Sequence, residues 1–356
     1  MIFSGSYSPQ DIVFLLQPAD IPLTCLETKE RLLQSGQKHY SDMLSEERPP
    51  SEEHMRIYHS AMQRGAARLA LETLALASAI ARRHQTTATI TLASIARAGC
   101  PLGVLLKRAL RSMGYADVRH FGISVIRDRG VDKAAMTEIG KMAPGQNLYF
   151  VDGWTGKGAI AQELRRSLCA APCTLVVLSD LCGQADVAAS QEDWLIPFGI
   201  LGAAISGLIS RTVWSDQGLH RCRLWKELQP WDISQKFADE VSALWTPAML
   251  SKARQLPCES SAESKIAARR RTEALVGRIM RDYGISSRNR IKPGIAEATR
   301  ALLRRVPEVV FVRNLDDPDL ELLLHLAAKN SVQVRSQGDA IAPYKAVTVI
   351  KKADFH

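Results

Sequence analysis

The sequence predicts an α/β fold, a parallel-sheet domain followed by a second, smaller α/β domain, and three observations predict it. Short β-branched runs alternate with helix-length segments between residues 87 and 179, a rhythm that needs crossover helices and so a parallel sheet covered on both faces. The chain has 356 residues, enough for two domains of ordinary size. A polar stretch, QLPCESSAES, separates this alternation from a second one that is richer in arginine. The division that follows is 1–254 for the sheet domain with an N-terminal helical extension, 255–264 for a linker, and 265–356 for the small domain.

Taken in order, DIVFLLQ (11–17) reads as a short apolar strand, and SGQKHYSDMLSEERPPS (35–51) as loop without a period. From Ser51 to Arg82 the apolar positions Tyr58, Met62, Ala66, Leu69, Leu76 and Ile80 recur near one helical face. Strands are expected at 87–93, 118–126, 148–151 and 173–179, with helices at 101–113, 133–142 and 158–168. Trp194 to Ser210 is uncharged but holds Pro197 and three glycines, and it is shorter than the roughly 20 residues of a membrane span. A buried strand and turn, or a small-residue helix, is the expectation there. Beyond Trp245 order is lost until a basic helix, a KPG turn at Lys292, a helix to Arg305, a strand at 309–312, a helix at 319–330 and strands near Val332 and Val347.

Forty-six Lys and Arg against thirty-seven Asp and Glu leave a net charge of +9, which favours polyanionic partners. Thirteen basic and four acidic residues lie between Lys265 and Arg313, so the bias belongs to the C-terminal third. Seven scattered cysteines imply reduced thiols rather than a disulfide framework. Cys169 and Cys173 lack the partners of a zinc site. The first residues carry no export pattern, so the expected setting is cytoplasmic, without a membrane.

Two strand-to-helix junctions carry unusual loops. In ITLASIARAGCPLGVLLK the loop contains Arg97, Ala98, Gly99 and Cys100; in NLYFVDGWTGKGAIAQELRR it contains Asp152, Gly153, Thr155, Gly156, Lys157 and Gly158. Small residues let backbone amides close on oxygens, and a helix N-terminus adds unpaired donors, an arrangement suited to phosphate. In an open parallel sheet such loops share one crevice beyond the strand ends. Two anion sockets there suggest a ligand with two phosphate groups. Asp152 at a strand end is a candidate to hold sugar hydroxyls or a magnesium ion, Mg2+, on pyrophosphate; an N-cap of the next turn explains it equally well. Arg127 and Arg129 in VIRDRGVD are expected on a loop that closes over the ligand.

Strand, RAGxPxG loop, helix, strand, arginine-rich loop, strand ending on acid and TGxG together resemble the type I phosphoribosyltransferase fold. More closely, SGSYSPQD, SGQKHYSDMLS, LASIARAGCPLGVLLKR, HFGISVIRDRGVD, FVDGWTGKGAI and SGLISRTVWS followed by LQPWDIS resemble the phosphoribosyltransferase-like family of tellurium-resistance gene clusters, a family also labelled cysteine protease StiP. The resemblance runs from about Ser4 to Trp245. It implies a phosphoribosyltransferase taking a phosphoribosyl pyrophosphate-type sugar phosphate and a base or nucleotide-like acceptor, in making or modifying a nucleoside-like molecule linked to tellurium stress. Arg97, Arg127, Arg129 and Asp152 would then be catalytic, Arg97 and the 98–100 amides would hold pyrophosphate, Gly153 and 155–158 the 5-phosphate, and Asp152 the magnesium. One departure stands out: Gly153 follows Asp152 where the transferases carry a second acid.

That missing acid supports one alternative, a catalytically silent, nucleotide-sensing, RNA-binding regulator. A second alternative is a cysteine hydrolase using Cys100, because a thiol opening a helix is easier to ionise; His120 and His220 are the candidate bases. Residues 288–335 resemble the pelota and ribosomal-protein type of RNA-binding fold. Lys292, Gly294, Glu297, Thr299 and Arg300 fall at its RNA-facing motif, with Ala296 where that motif has Asn. RNA is therefore a further expected partner, through phosphate contacts, and a homo-oligomer is compatible with the sequence.

Overall fold

The computed structural model describes residues 3–144, 147–169 and 173–352. Along the chain come β1 (Val13–Phe14), β2 (Gln17–Pro18), α1 (Leu26–Gln34) and the 30-residue α2 (Glu52–Ala81), which Ser51 caps by accepting from the His54 amide. Then follow β3 (Ile90–Ile95), α3 (Gly99–Ser112), β4 (Val118–Ile123), the hairpin β5 (Val125–Ile126) and β6 (Gly130–Val131), and α4 (Lys133–Met142). Next are β7 (Leu148–Thr155), α5 (Ala159–Ser167), β8 (Thr174–Asp180), β9 (Val187–Ser190), β10 (Arg221–Cys222), α6 (Ser234–Ser242) and α7 (Pro247–Arg254). The C-terminal part holds α8 (Ala262–Asp282), β11 (Ile291–Pro293), α9 (Ile295–Arg304), β12 (Pro307–Val312), α10 (Glu321–Lys329), β13 (Gln333–Ser336) and β14 (Ala346–Ile350).

Six strands form a sheet in the order β1-β4-β3-β7-β8-β9, every pair parallel. Alternate side chains leave opposite faces of a strand, and the two faces feed different cores. Leu92, Tyr149, Val151, Val176 and Leu178 pack with α2 and α3 on one side. Ala93, Ile95, Phe150, Leu175 and Val177 pack with Ala135 and Ile139 of α4 and Leu164 of α5 on the other. This double burial explains why the strands read as continuous apolar runs.

The C-terminal sheet has the order β11-β14-β12-β13. Val309 and Phe311 face Leu275, Val276 and Ile279 of α8, while Val310 and Val312 face α9 and α10 within the large core shared with α2. The two domains therefore do not hang on a linker, and residues 262–264, read as linker, are the first turn of α8.

Several sequence expectations are corrected. The strand expected at 148–151 runs to Thr155, because Trp154 and Thr155 pair with Ser179 and Asp180. Asp152 is thus inside a strand and is no N-cap. The strand expected at 118–126 breaks after Ile123 into the β5–β6 hairpin. Trp194 to Ser210 forms two buried 3-10 turns, at Pro197–Gly199 and Gly202–Ile205. Helices α1, α6 and α7 had no clear signal in the sequence. No described helix is long and apolar enough to cross a membrane.

One carboxylate fixes the docking. Asp193 is buried and accepts from the first amide of α9, Ile295 N, at 2.9 Å, and from Lys345 N at 2.8 Å. A residue of the first domain thus caps a helix of the second, supplying an acceptor that Gly294 lacks. Asp193→Ala leaves both buried amides unpaired and is expected to cost about 1–3 kcal/mol, read as a lower urea midpoint.

Candidate functional site

The carboxyl ends of β3 and β7 open into a cleft of about 570 Å³ that the C-terminal domain roofs. Ile95 to Ala98, Asp152 and Trp154 to Ala161 supply one wall, and Ile291 to Pro293, Glu297, Arg300 and Arg304 supply the other. Eleven Lys and Arg side chains line it against two carboxylates, Asp152 and Glu297.

The β7–α5 loop is the contact point of the roof. Tyr344 donates its hydroxyl to the Gly156 carbonyl at 2.8 Å, and a Cβ on Gly156 would lie 3.0 Å from Cγ of Glu297. Lys157 donates to the carbonyls of Arg288 and Ile291. The Thr155 hydroxyl is taken by Asp180, which also accepts from the Gln184 and Ala185 amides. Gly158 adopts a left-handed conformation (φ +80°) and packs against Gln184. The loop expected to hold a 5-phosphate contacts the neighbouring domain.

At the β3–α3 junction Arg97 is buried and fully engaged, donating at 2.7 Å to Glu47 and at 2.8 Å to the Ile209 carbonyl. Gly99 lies against the Val151 carbonyl, where a Cβ would come within 2.1 Å. Cys100 is wholly buried, and burial, then the Asp152 charge, pushes its thiol well above the usual range. Asp152 accepts from the Gly153 amide at 2.8 Å; burial raises its carboxyl to about 7 against the opposing pull of that bond and of Arg300.

Of the site residues expected from sequence, Arg97, Ala98, Arg127, Asp152, Thr155, Gly156, Lys157, Gly158, Lys292, Glu297 and Arg300 line one cleft. Gly99, Cys100, Gly153, Arg129, Gly294 and Thr299 do not. Gly153 packs against Phe198 and the Ala98 carbonyl. Arg129 is held by Asp42 and lies over Trp214. Gly294 (φ +90°) and the buried Thr299 serve the start and core of α9. Arg127 reaches Asn289 of the C-terminal domain at 2.8 Å rather than a free loop position.

Magnesium at Asp152 does not fit this donor set. Glu297 is the only other carboxylate lining the cleft, and among the described residues no three His, Cys, Asp or Glu side chains come together to hold an ion. Neither histidine offered as base is free. His120 bonds Ser94 at 2.7 Å and the Asp11 carbonyl at 2.8 Å, with burial lowering its pKa to about 3; His220 bonds Ser124 at 2.8 Å.

The sequence reading missed Lys29, Tyr40, Glu47 and Arg211. Arg211 lies in SGLISRTVWS, so a signal was present without a chemical meaning attached; Glu47 sits in a stretch with no periodicity.

Residues 5–242 match the family described as "Tellurite-like stress resistance cysteine protease StiP", and residues 270–352 match the "PELOTA RNA binding domain". A curated protein of Acinetobacter baylyi (strain ATCC 33305 / BD413 / ADP1), named "Cysteine protease StiP", is 44% identical over 369 residues, covering 98% of this chain and 94% of its own. The chain belongs to the StiP family. That membership overturns the transferase reading, together with its pentosyl-transfer chemistry and its phosphoribosyl pyrophosphate substrate, because the relative is named for a cysteine protease. The parallel sheet bears out an α/β fold and does not mark it as a phosphoribosyltransferase. The link to tellurium stress and the pelota-like module agree with the matches.

A raised carboxyl pKa has a defined sign. Because the folded-state value, about 7, exceeds the ordinary value of 3.8, the stability contributed by neutral Asp152 is lost as pH rises through 7. Asp152→Asn is therefore expected to leave the melting temperature nearly unchanged at pH 4 and to raise it relative to the parent at pH 8, as followed by calorimetry.

Proposed function

We propose that this StiP-family protein is a cysteine-dependent hydrolase in which Cys100 supplies the nucleophile and Asp152 takes its proton. The observation that carries the reading is electrostatic: Cys100 is the buried thiol whose charged neighbours, Asp152 and Arg97, both line the cleft. Cys182, by contrast, feels Asp180 and Arg269, which do not line it.

Cys100 stands in the first turn of α3, where the helix dipole favours a thiolate. A carboxyl with a pKa near 7 suits proton exchange at neutral pH. In the reaction the thiol proton passes to the Asp152 carboxylate, the sulfur attacks the scissile carbonyl carbon, and the protonated carboxyl returns that proton to the leaving amine. Water then splits the thioester. The closed thiol is a resting form, and the segment Ala96–Gly99 must move aside before a substrate carbonyl can reach sulfur. The dense positive charge beyond it favours substrates acidic near the cleaved bond.

RNA contact by the pelota-like module is part of the proposal, through cations outside the motif expected from sequence. Lys292, Glu297 and Arg300 of the motif face the cleft, and Gly294 and Thr299 are packed away. Arg270, Arg271 and Arg281 of α8 are exposed and are the cations offered to an RNA backbone.

Cleavage of a fluorogenic library of acidic peptides tests the hydrolase. Cys100→Ala is expected to abolish turnover and Asp152→Asn to lower kcat by about 10²-fold or more, while Cys182→Ala retains it. Full activity in Cys100→Ala would refute the assignment.

A further inference from the structure

We infer that Arg300 of the C-terminal domain selects a carboxylate on the peptide substrate, so that the pelota-like module contributes a residue to the active site of the proposed hydrolase. The inference rests on that hydrolase reading and adds to it the residue that recognises substrate.

Helix periodicity places the group. Ile295, Ala298 and Leu302 of α9 are buried in the core, while Glu297, Arg300 and Arg304, three and four residues apart, line the cleft. On the facing wall Asp152 and Trp154 are alternate residues of β7, whose side chains leave one face of a strand, and both line the cleft. The Arg300 guanidinium lies over the Trp154 ring, 5.6 Å from its centroid. Its charge also reaches Asp152: burial, the largest influence, raises that carboxyl to about 7, and the Gly153 amide and then Arg300 draw it down. Arg300 thus stands beside the group proposed to move the proton.

Its donors are not in use, which sets it apart from the other arginines of the cleft. Arg97, Arg290 and Arg305 donate to Glu47, Glu308 and Glu30. Arg127 donates to Asn289 and Asp128, and Arg211 to the Thr212 carbonyl. Arg304 is ion-paired with Glu47 at 3.7 Å. Arg300 makes no hydrogen bond among the described residues; Glu297, its carboxylate neighbour on the same helix, is 3.9 Å away. The side chain is 25% exposed, open to the cleft yet shielded enough for its charge to count. The contact with Trp154 holds the guanidinium in place before a ligand arrives, which lowers the cost of ordering it.

A guanidinium with a free fork takes a carboxylate through two parallel N–H···O bonds. Asp and Glu side chains share that chemistry with the carboxylate that ends a peptide. Seating one there also bears on the proton, because it offsets the pull of Arg300 on Asp152. Asp152 then becomes the stronger base once substrate is bound.

The test is calorimetric titration of full-length Cys100→Ala protein with short peptides of one sequence: an internal Glu with an amidated end, Gln in its place with an amidated end, and that Gln peptide with a free carboxyl end. One of the acidic peptides is expected to bind about tenfold or more tighter than the amidated Gln peptide. Arg300→Met is expected to remove the difference, and Arg300→Lys, which keeps the charge without the fork, to restore part of it. Tighter binding of the Glu peptide assigns a side-chain carboxylate; tighter binding of the free-ended peptide assigns a chain terminus. The melting temperature of Arg300→Met controls for folding and is expected to shift little, since the ion pair lost is long. No preference among the peptides, or a preference that survives in Arg300→Met, would overturn the proposal. So would loss of RNA oligonucleotide binding in Arg300→Met with the peptide preference intact, which would return the residue to the RNA surface. Turnover by the parent chain is scored apart: its absence with the preference intact sinks the hydrolase reading alone, and its presence without a preference sinks this carboxylate site alone.

Discussion

A buried carboxylate, Asp193, joins the two domains beside the apolar core they share, and the geometry of the site follows from that docking. Accepting from Ile295 N and Lys345 N together, it aims the start of α9 at the carboxyl ends of β7 and β8. Without that docking the β7–α5 loop would be an open edge of the sheet, the position where α/β proteins ordinarily receive ligands. With it, Gly156 and Lys157 are covered by Glu297, Tyr344 and the β11 carbonyls, and an open crevice becomes a roofed cleft.

Roofing changes the electrostatics. Cations that would be solvated on either domain alone are brought face to face and partly dehydrated, while only Asp152 and Glu297 enter the cleft as counter-charges. Burial there raises Asp152, while Cys100 is enclosed in the apolar core beneath α3. A thiol in that condition is unreactive, so the hydrolase proposed for this StiP-family chain requires Cys100 to be uncovered before it can act.

Much of the fold was legible because period and composition report burial directly. The runs at 87–93 and 173–179 are apolar on both faces because both faces are covered, and the single face of α2 follows the 3.6-residue repeat. The α8–β14 module was legible from its basic helix and its KPG turn. Less legible were the loops, whose tertiary contacts carry no local pattern. GWTGKG has the residues of a phosphate socket, but its donors and carbonyls are used by a domain more than 100 residues away in sequence. Asp152 read as a strand end because Gly153 follows it, although Trp154 and Thr155 continue the ladder. Lys29, Glu47 and Arg211 were invisible as a set because they share no motif and meet only through tertiary packing.

The central claim is that the C-terminal domain sits on the β7–α5 loop. Paired cysteines at Gly156→Cys and Glu297→Cys test it most directly, since a Cβ at residue 156 lies 3.9 Å from that of residue 297, within the range a disulfide spans. Mild oxidation of dilute protein is predicted to yield an intramolecular 156–297 disulfide, detected by peptide mapping, in most molecules. Free thiols at both positions, or only intermolecular cross-links, would contradict the docked arrangement and with it the cleft.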